Sequence, residues 1–419
     1  MKNLFYEYQS KIVSGDIKIT FQFILKYTPI SGNYYYNAEE KGIRITNISE
    51  IELSTDKENP VLFPANVTID LIDANYEFYN NLVNGDFVDL YCKIERNNKT
   101  EFYGKIIKDV DEGYLCDKAE KEISIEFASP TNKLKEKRIV DIDGNIIYTS
   151  FIPIGRDSIQ NILNNMLIDT AINPNVIIKH DWIYKGYHMD TGNQITDIKT
   201  SDLIVNLFDV VSSDRNGFNL VNYDEILKAL CFSLGAYISF ANYSKPIFRS
   251  LIYRNEKLVP TENQIKYIKR KRLTTKELVR ITAKAQIGYS NVVINKHTYN
   301  SIENYTGSEE NAFIKDVLFP IERDNNVGQL FDAKIGTNEY RVDYVRNPFT
   351  NQWTGNGEIL RDTWKKIIES WNNGSVEISL IGVDFDFYNS IQVDNKEFMI
   401  ESMKKNLIEH ETIIEAFPI

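Results

Sequence analysis

Residues 66–71 read NVTIDL, 88–95 read VDLYCKIE and 122–127 read EISIEF. In the first, Val67, Ile69 and Leu71 alternate with Asn66, Thr68 and Asp70. In the second, Val88, Leu90, Cys92 and Ile94 alternate with Asp89, Tyr91, Lys93 and Glu95. In the third, Ile123, Ile125 and Phe127 alternate with Glu122, Ser124 and Glu126. A period of two marks strands with one buried and one wet face. Three such runs within Phe63–Arg138 predict a small antiparallel sheet or barrel rather than the buried parallel sheet of an α/β enzyme.

Working outward, the same period recurs at Ile17, Ile19, Phe21 and Phe23, and two shorter runs centre on Ile43 and Ile51. Between the first two quoted strands the period changes. Tyr76, Tyr79 and Leu82 stand at helical spacing, which predicts a short helix over 74–83 laid across the sheet. Asn84-Gly85-Asp86 and Asn97-Asn98 are turn signals, and Pro130 ends the third strand because proline cannot donate to a ladder. Asp143-Gly144 predicts a hairpin over 138–150.

The middle of the chain is mixed. Asp157 is the expected N-cap of a helix whose apolar face is Ile159, Ile162, Leu163, Met166 and Leu167. A second helix is expected over 201–211, with Asp202 in its first turn. A third is expected from Tyr223 to Leu234, ended by Gly235. Tyr237–Phe240 and Ile247–Ile252 read as a hairpin. The last part returns to strands at Val279–Ala283, Val292–Asn295, Glu377–Val383, Ile391–Val393, Glu397–Ile400 and Ile413–Phe417. Asp394-Asn395-Lys396 turns one hairpin, and Leu360, Trp364, Ile367 and Trp371 make a helical stripe. Residues 301–357 show few elements, and a loop of that length is usually functional or mobile.

The fold class is therefore mainly β with an α/β insertion. It comprises two small antiparallel β-barrel-like domains (1–150 and 263–419) around a helical insertion domain (151–262). The second barrel carries the long loop and one helix over 301–374.

Composition narrows the function. The net charge of −11 argues against a dedicated nucleic-acid clamp, which needs a concentrated basic field. Cys92, Cys116 and Cys231 fit no disulfide framework and no zinc spacing. The N-terminus has no apolar run with a small-residue cleavage site, and no stretch nears the roughly 18 apolar residues of a membrane helix. The expectation is a soluble protein made in a cytoplasm.

The search for chemistry assigns no catalytic, cofactor-binding or metal-binding residue. His180, His188, His297 and His410 show no metal spacing. Asp141–Asn145 has the flavour of a calcium loop, but its glycine is misplaced and Ile152 stands where a glutamate is needed. Asp384 and Asp386 could pair as catalytic carboxylates. The plainer reading makes them the wet face of a segment that buries Phe385 and Phe387. The run Lys266–Arg272 is basic with an aromatic inside it, and reads as a solvated linker in preference to a nucleic-acid contact. Lys133–Arg138 reads the same way.

The stretch Pro64–Leu71, a short amphipathic turn, Gly85–Tyr91 and Phe102–Ile106 together resemble the N-terminal region of bacteriophage tail hub proteins. Ile123–Pro130 resembles that family's next strand, although the Asp-Gly expected after it is replaced by Asn132-Lys133-Leu134-Lys135. Asp157–Leu167 and Tyr223–Ile238 resemble the family's insertion domain, and Asn389–Ile400 a hairpin of its second barrel. The resemblance covers about two-thirds of the chain. It implies a non-enzymatic structural hub without cofactors, in the virion tail and assembled in the host cytoplasm. It implies a homotrimer (a hexamer is the other possibility) that contacts tail tube, tip, fibre or spike proteins and lets DNA pass through its lumen. The alternative is a non-enzymatic carbohydrate- or receptor-binding β module of a virion or cell surface, suggested by 25 tyrosines and 4 tryptophans.

Overall fold

The structure is a computed structural model. It describes residues 2–25, 32–54, 62–83, 87–107, 121–129, 134–135, 137, 156–169, 177–178, 183–206, 213–214, 217–218, 222–240, 246–250, 256–271, 277–286, 293–298, 312–318, 331–342, 344–346, 353–355, 370, 373–387 and 390–419. The chain is mainly β, as the alternation predicts. The expected hairpin over 138–150 and the helical stripe from Leu360 to Trp371 lie outside the described residues, apart from Ser370.

One fourteen-stranded sheet dominates. Its path runs Ile265–Arg270, Val376–Ile381, Glu411–Pro418, Lys396–Asn406, Ile51–Ser54, Ala65–Asp73, Lys121–Ala128, Lys99–Ile106, Phe87–Arg96, Gly15–Leu25, Lys2–Ile12, Gly32–Asn37. Ser390–Val393 lies beside Lys396–Asn406, and Ile43–Ile48 beside Ala65–Asp73. The three runs that open the sequence are central strands of this sheet. Val67, Ile69, Leu71, Leu90, Cys92, Ile94, Ile123, Ile125 and Phe127 are each at most 3% exposed. Asn97-Asn98 and Asp394-Asn395 both take two consecutive positive φ angles, as two-residue hairpin turns require.

The first half of the sheet is rolled. Gly32–Asn37 pairs in parallel with Lys2–Ile12 at one end of the path, and residues 38–42 lead straight to Ile43–Ile48 on Ala65–Asp73. The short connection holds the two strands together. Ala38 N–H donates to the Glu7 carbonyl at 2.8 Å, and Ala74 N–H donates to the Gly42 carbonyl at 3.0 Å. Gly42 sits at φ +79°, and a Cβ there would come within 2.7 Å of Asn75 Nδ2, so any other residue would be strained.

Inside the roll the helix Glu77–Val83 inserts Phe78. Its ring centroid lies 4.9 Å from Phe23, 5.3 Å from Phe21 and 5.7 Å from Tyr6, each edge-on. The helix is shorter than expected and turned. Phe78 and Leu82 are buried, whereas Tyr76 precedes the helix at φ +56° and Tyr79 is half-buried. Phe78 carries no hydroxyl that would need a partner in the interior, and so takes the buried face ahead of Tyr79. Tyr6 Oη donates to Glu77 Oε1 and accepts from Asn81 Nδ2, both at 3.2 Å. Asp73 Oδ2 accepts from Tyr79 N–H at 2.8 Å, tying the helix to the preceding strand.

The middle helices form where expected. Ile159, Ile162, Leu163, Met166 and Leu167 are all buried in helix Ile159–Asp169. The N-cap, however, is Ser158, whose hydroxyl accepts from Asn161 N–H at 3.2 Å. Asp157 is held in a short strand opposite Val205. Tyr223–Leu234 is helical and ends at Gly235 with φ +55°. The hairpin expected after it pairs Ala236–Ser239 with Ile247–Ser250.

Two expectations are corrected. Residues 201–206 do not open the helix expected over 201–211, and 207–211 lie outside the described residues. Thr200–Asp202 makes one 3-10 turn, and Leu203–Asn206 is a strand between Arg156–Ser158 and Phe331–Ile335. Asp202 Oδ2 accepts from Lys199 N–H at 2.9 Å and closes that turn, after which β-branched Ile204 and Val205 suit a pleated surface. Residues 301–357 are also less bare than expected, containing the strands Ala312–Leu318, Phe331–Ile335, Asn338–Val342, Tyr344–Arg346 and Trp353–Gly355. Phe331–Ile335 and Asn338–Val342 join the six-stranded sheet with Ile183–His188 and Leu203–Asn206, a partnership formed by chain segments too distant for local pattern to reveal. Strand pairing thus crosses the division drawn at 262/263.

Phe78→Ala should cost about 3–5 kcal/mol, because the roll closes poorly over a lost ring. Asn80→Ala, on the exposed side of the same helix, should stay within about 0.5 kcal/mol. Urea unfolding of both variants checks the contrast, and similar losses would refute the inserted-ring account.

Candidate functional site

The two halves of the large sheet meet at Ile51–Ser54, which pairs with Ala65–Asp73 on one side and with Lys396–Asn406 on the other. Beside this join lies a seam of charges. The apolar face of Phe87–Arg96 continues through Leu90, Cys92 and Ile94 to Arg96, which is 3% exposed. After the Asn97-Asn98 turn the next strand brings Lys99 and Glu101 back alongside it. From the C-terminal half, Met403 and Leu407 bracket Lys405 on an equally buried face.

Arg96 Nε and Nη2 donate to Glu101 Oε1 at 3.1 and 2.9 Å. Its Nη1 donates to the Ser14 carbonyl at 3.1 Å, and Nη2 also donates to Asp384. Lys405 Nζ donates to Glu101 Oε2 at 3.3 Å. At the rim Lys99 Nζ meets Asp386 Oδ1 at 2.8 Å. Ser14 Oγ donates to the Leu407 carbonyl at 2.7 Å, adding a neutral tie between the halves. Three cations and three carboxylates therefore balance.

Each buried ion loses several kcal/mol of hydration, and only close pairing offsets that loss. Burial pushes the Lys405 ammonium below its ordinary value, against the pull of Glu101. The hydrogen bond from Arg96 holds the Asp384 carboxyl below the usual carboxylate range. Asp384 is thus kept ionised, the wrong state for a general acid. The segment carrying Asp384 and Asp386 buries Phe385 and Phe387, as the plainer sequence reading has it. Gly382 N–H donates to the His410 carbonyl at 2.8 Å, and Thr412 Oγ1 donates to the Gly382 carbonyl at 2.6 Å. These bonds fix where the segment leaves the sheet. The arrangement is a joint.

The other singled-out residues lie elsewhere. His188 Nδ1 accepts from Asp190 N–H at 3.1 Å and closes a turn, its ring edge-on to Tyr340 at 5.4 Å. His297 stands opposite Ala283 in a strand pair, and His410 is a turn residue at φ +57°. Cys92 and Cys231 are fully buried, and burial pushes both thiols up. His180, Cys116 and Asp141–Asn145 lie outside the described residues. Among the described residues no group of His, Cys, Asp and Glu is placed to hold a metal.

The basic run is corrected. Ile265–Arg270 is not a linker but a strand paired with Val376–Ile381, and among the described residues it stands at the end of the large sheet. Cross-strand carboxylates stabilise it there. Lys266 Nζ meets Glu411 at 3.2 Å, Lys271 Nζ meets Glu377 at 2.9 Å, and Tyr267 Oη donates to Glu377 at 3.0 Å. Of the second basic run, Leu134 is fully buried, so that segment is anchored at one point.

Arg96, Glu101 and Lys405 were missed by the sequence reading, although parity points to two of them. Arg96 and Lys405 each continue an apolar face, and a charge in such a place needs a partner. The identity of the partner required the fold.

No protein-family model matches the chain, and no curated protein matches it. Among solved structures, that of E. coli c3393 is similar over 90% of this chain and 76% of that one, with a TM-score of 0.40 and 6% identity. That protein is described as a component of the type VI secretion system with structural similarity to the T4 bacteriophage tail proteins gp27 and gp5. No helix among the described residues is long and apolar enough to cross a membrane.

Arg96→Ala should cost about 3–5 kcal/mol, since it strands Glu101 without its closest cation. Lys99→Ala, at the exposed rim, should cost less than about 1 kcal/mol. Equal losses in denaturant titrations would refute the seam. Because the Asp384 carboxyl is depressed in the folded state, its contribution is present above the ordinary carboxylate range near pH ~4 and is lost as pH falls below it. Acidification from neutral pH should therefore destabilise the parent protein more than Asp384→Asn.

Proposed function

We propose that the chain is a structural hub protein of a bacteriophage tail or baseplate, joining the tail tube to the tail tip and lining the DNA channel. The observation that carries this reading is the fusion of two β units into one sheet, pinned by a buried ionic seam. Such a join makes a stiff arc, which suits a segment of a ring better than a pair of domains on a hinge. In this reading residues 1–150 and 263–419 are the two barrel-like units and 151–262 is the α/β insertion.

Sheet ends supply the means of assembly. Five of the six residues of Ile265–Arg270 are exposed, among them Tyr267 and Ile268. A strand at the end of a sheet offers backbone donors and acceptors to a neighbouring chain. Copies join as a homotrimer, with a hexamer as the other closed form, and bind tube and tip, fibre or spike proteins. The assembly is made in the host cytoplasm and resides in the virion tail. The net charge of −11 suits a lumen through which DNA passes without adhering.

The mass of the purified chain in solution, with negative-stain images of the same sample, tests the reading. A trimer or larger ring with an open centre is the expected outcome. A chain that stays monomeric at every accessible concentration overturns it.

A further inference from the structure

The outer face of the parallel pair Lys2–Ile12 and Gly32–Asn37 carries side chains that the seam and the core do not use. Leu4 and Tyr6 point inward and are buried, so Asn3, Phe5, Glu7 and Gln9 point outward. Register places Asn33 beside Asn3, Tyr35 beside Phe5 and Asn37 beside Glu7. The Phe5 and Tyr35 rings stack at 4.6 Å and 12°, yet Tyr35 stays 62% exposed. Next to this platform is a cavity of about 290 Å³, lined by Glu7, Gln9, Tyr35, Tyr36, Asn37 and Glu39.

The polar groups around the cavity are oriented. Asn37 Oδ1 accepts from the Glu39 and Glu40 N–H groups at 2.9 and 3.3 Å. That turn fixes the amide and leaves its Nδ2 group to donate. Lys18 holds Glu7 at 2.9 Å, and a carboxylate so held still has lone pairs to accept further bonds. A fixed amide donor and a fixed carboxylate acceptor thus stand side by side, one row from an exposed aromatic face. Gln9 adds an amide that can serve in either sense.

A pyranose ring has the matching chemistry. Its C–H face is apolar and covers an aromatic ring, while adjacent hydroxyls each donate and accept. The cavity is at the small end of ligand sites, the scale of one sugar rather than an extended chain. Lys18 offsets the charge of Glu7, so Glu39 is left to disfavour an acidic sugar relative to a neutral or amino one. We propose that this cup binds a single neutral or amino sugar residue through Tyr35, Glu7 and Asn37. The proposal goes beyond the hub reading and does not depend on it.

Saturation-transfer NMR on the full-length chain, with methyl glucoside, glucosamine and glucuronate as probes, tests the site. Saturable binding of the first two and weaker binding of glucuronate are expected. Tyr35→Ala should weaken binding roughly tenfold by removing the stacking face. Asn37→Asp keeps the turn acceptor but removes the donor and adds a repelling charge, so it should also abolish most of the signal. Both positions are exposed, so each variant should remain fully folded, with Tyr35→Ala lowering the unfolding midpoint only by the loss of its stack on Phe5, which separates lost binding from lost fold. Binding of no probe, equal binding of glucuronate, or full binding by Tyr35→Ala overturns the proposal. So does a finding that Tyr35→Ala lowers the mass in solution while no sugar binds, since the face would then be covered by a second copy.

Discussion

The architecture depends on one short strand and the charges beside it. Ile51–Ser54 is four residues long, yet it touches both halves of the large sheet. Leu53 lies opposite Ala65 on one side and opposite Met403 on the other. So few ladder bonds leave a relative slip of the two halves cheap. A slip by one residue would turn every side chain of the strand to the wrong face. Ile51 and Leu53 resist that by being buried. The Arg96–Glu101–Lys405 cluster resists it more strongly, because any displacement leaves buried charges unpaired.

That cluster is better understood as specifying geometry than as adding stability. A buried ion pair replaced by well-packed apolar groups is often no less stable. Apolar groups, however, pack acceptably in several registers, whereas Arg96 must reach Glu101, Asp384 and the Ser14 carbonyl at once. Satisfying three acceptors from two regions of the chain selects a single docking of the halves. Asp384 and Asp386 extend the constraint to the segment after Val376–Ile381, which has no ladder of its own over 382–387.

Sequence pattern revealed the strands of the first half because each has one wet face. Period-two alternation survives wherever a sheet is half-buried, as at Val67–Leu71 and Ile123–Phe127. It also revealed the helices at 159–167 and 223–234, whose apolar stripes are long enough to be unambiguous. It failed where tertiary pairing decides the outcome. Leu203–Asn206 is short, so its strand state follows from partners elsewhere in the chain, Arg156–Ser158 on one side and Phe331–Ile335 on the other. The basic run Lys266–Arg272 reads as a linker in sequence because the carboxylates that pair with it, Glu377 and Glu411, lie in other strands. The seam was half-visible: parity singles out Arg96 and Lys405, and only the fold shows that both end on Glu101.

The same parity argument separates the two faces of the first sheet. Inward positions of Lys2–Ile12 feed the aromatic cluster around Phe78, so substitutions there act on stability. Outward positions carry Asn3, Phe5, Glu7 and Gln9, which no packing requirement selects. On a face free of packing demands, an aromatic pair left open to water loses the hydrophobic gain that burial would bring. Phe5 and Tyr35 recover part of it by stacking on each other, but most of the Tyr35 ring stays wet. That exposure is what makes the Tyr35 ring available as a stacking face in the proposed sugar site. The fixed amide and carboxylate of the next row add polar groups beside that face, so parity gathers an apolar and a polar recognition surface on one side of the sheet.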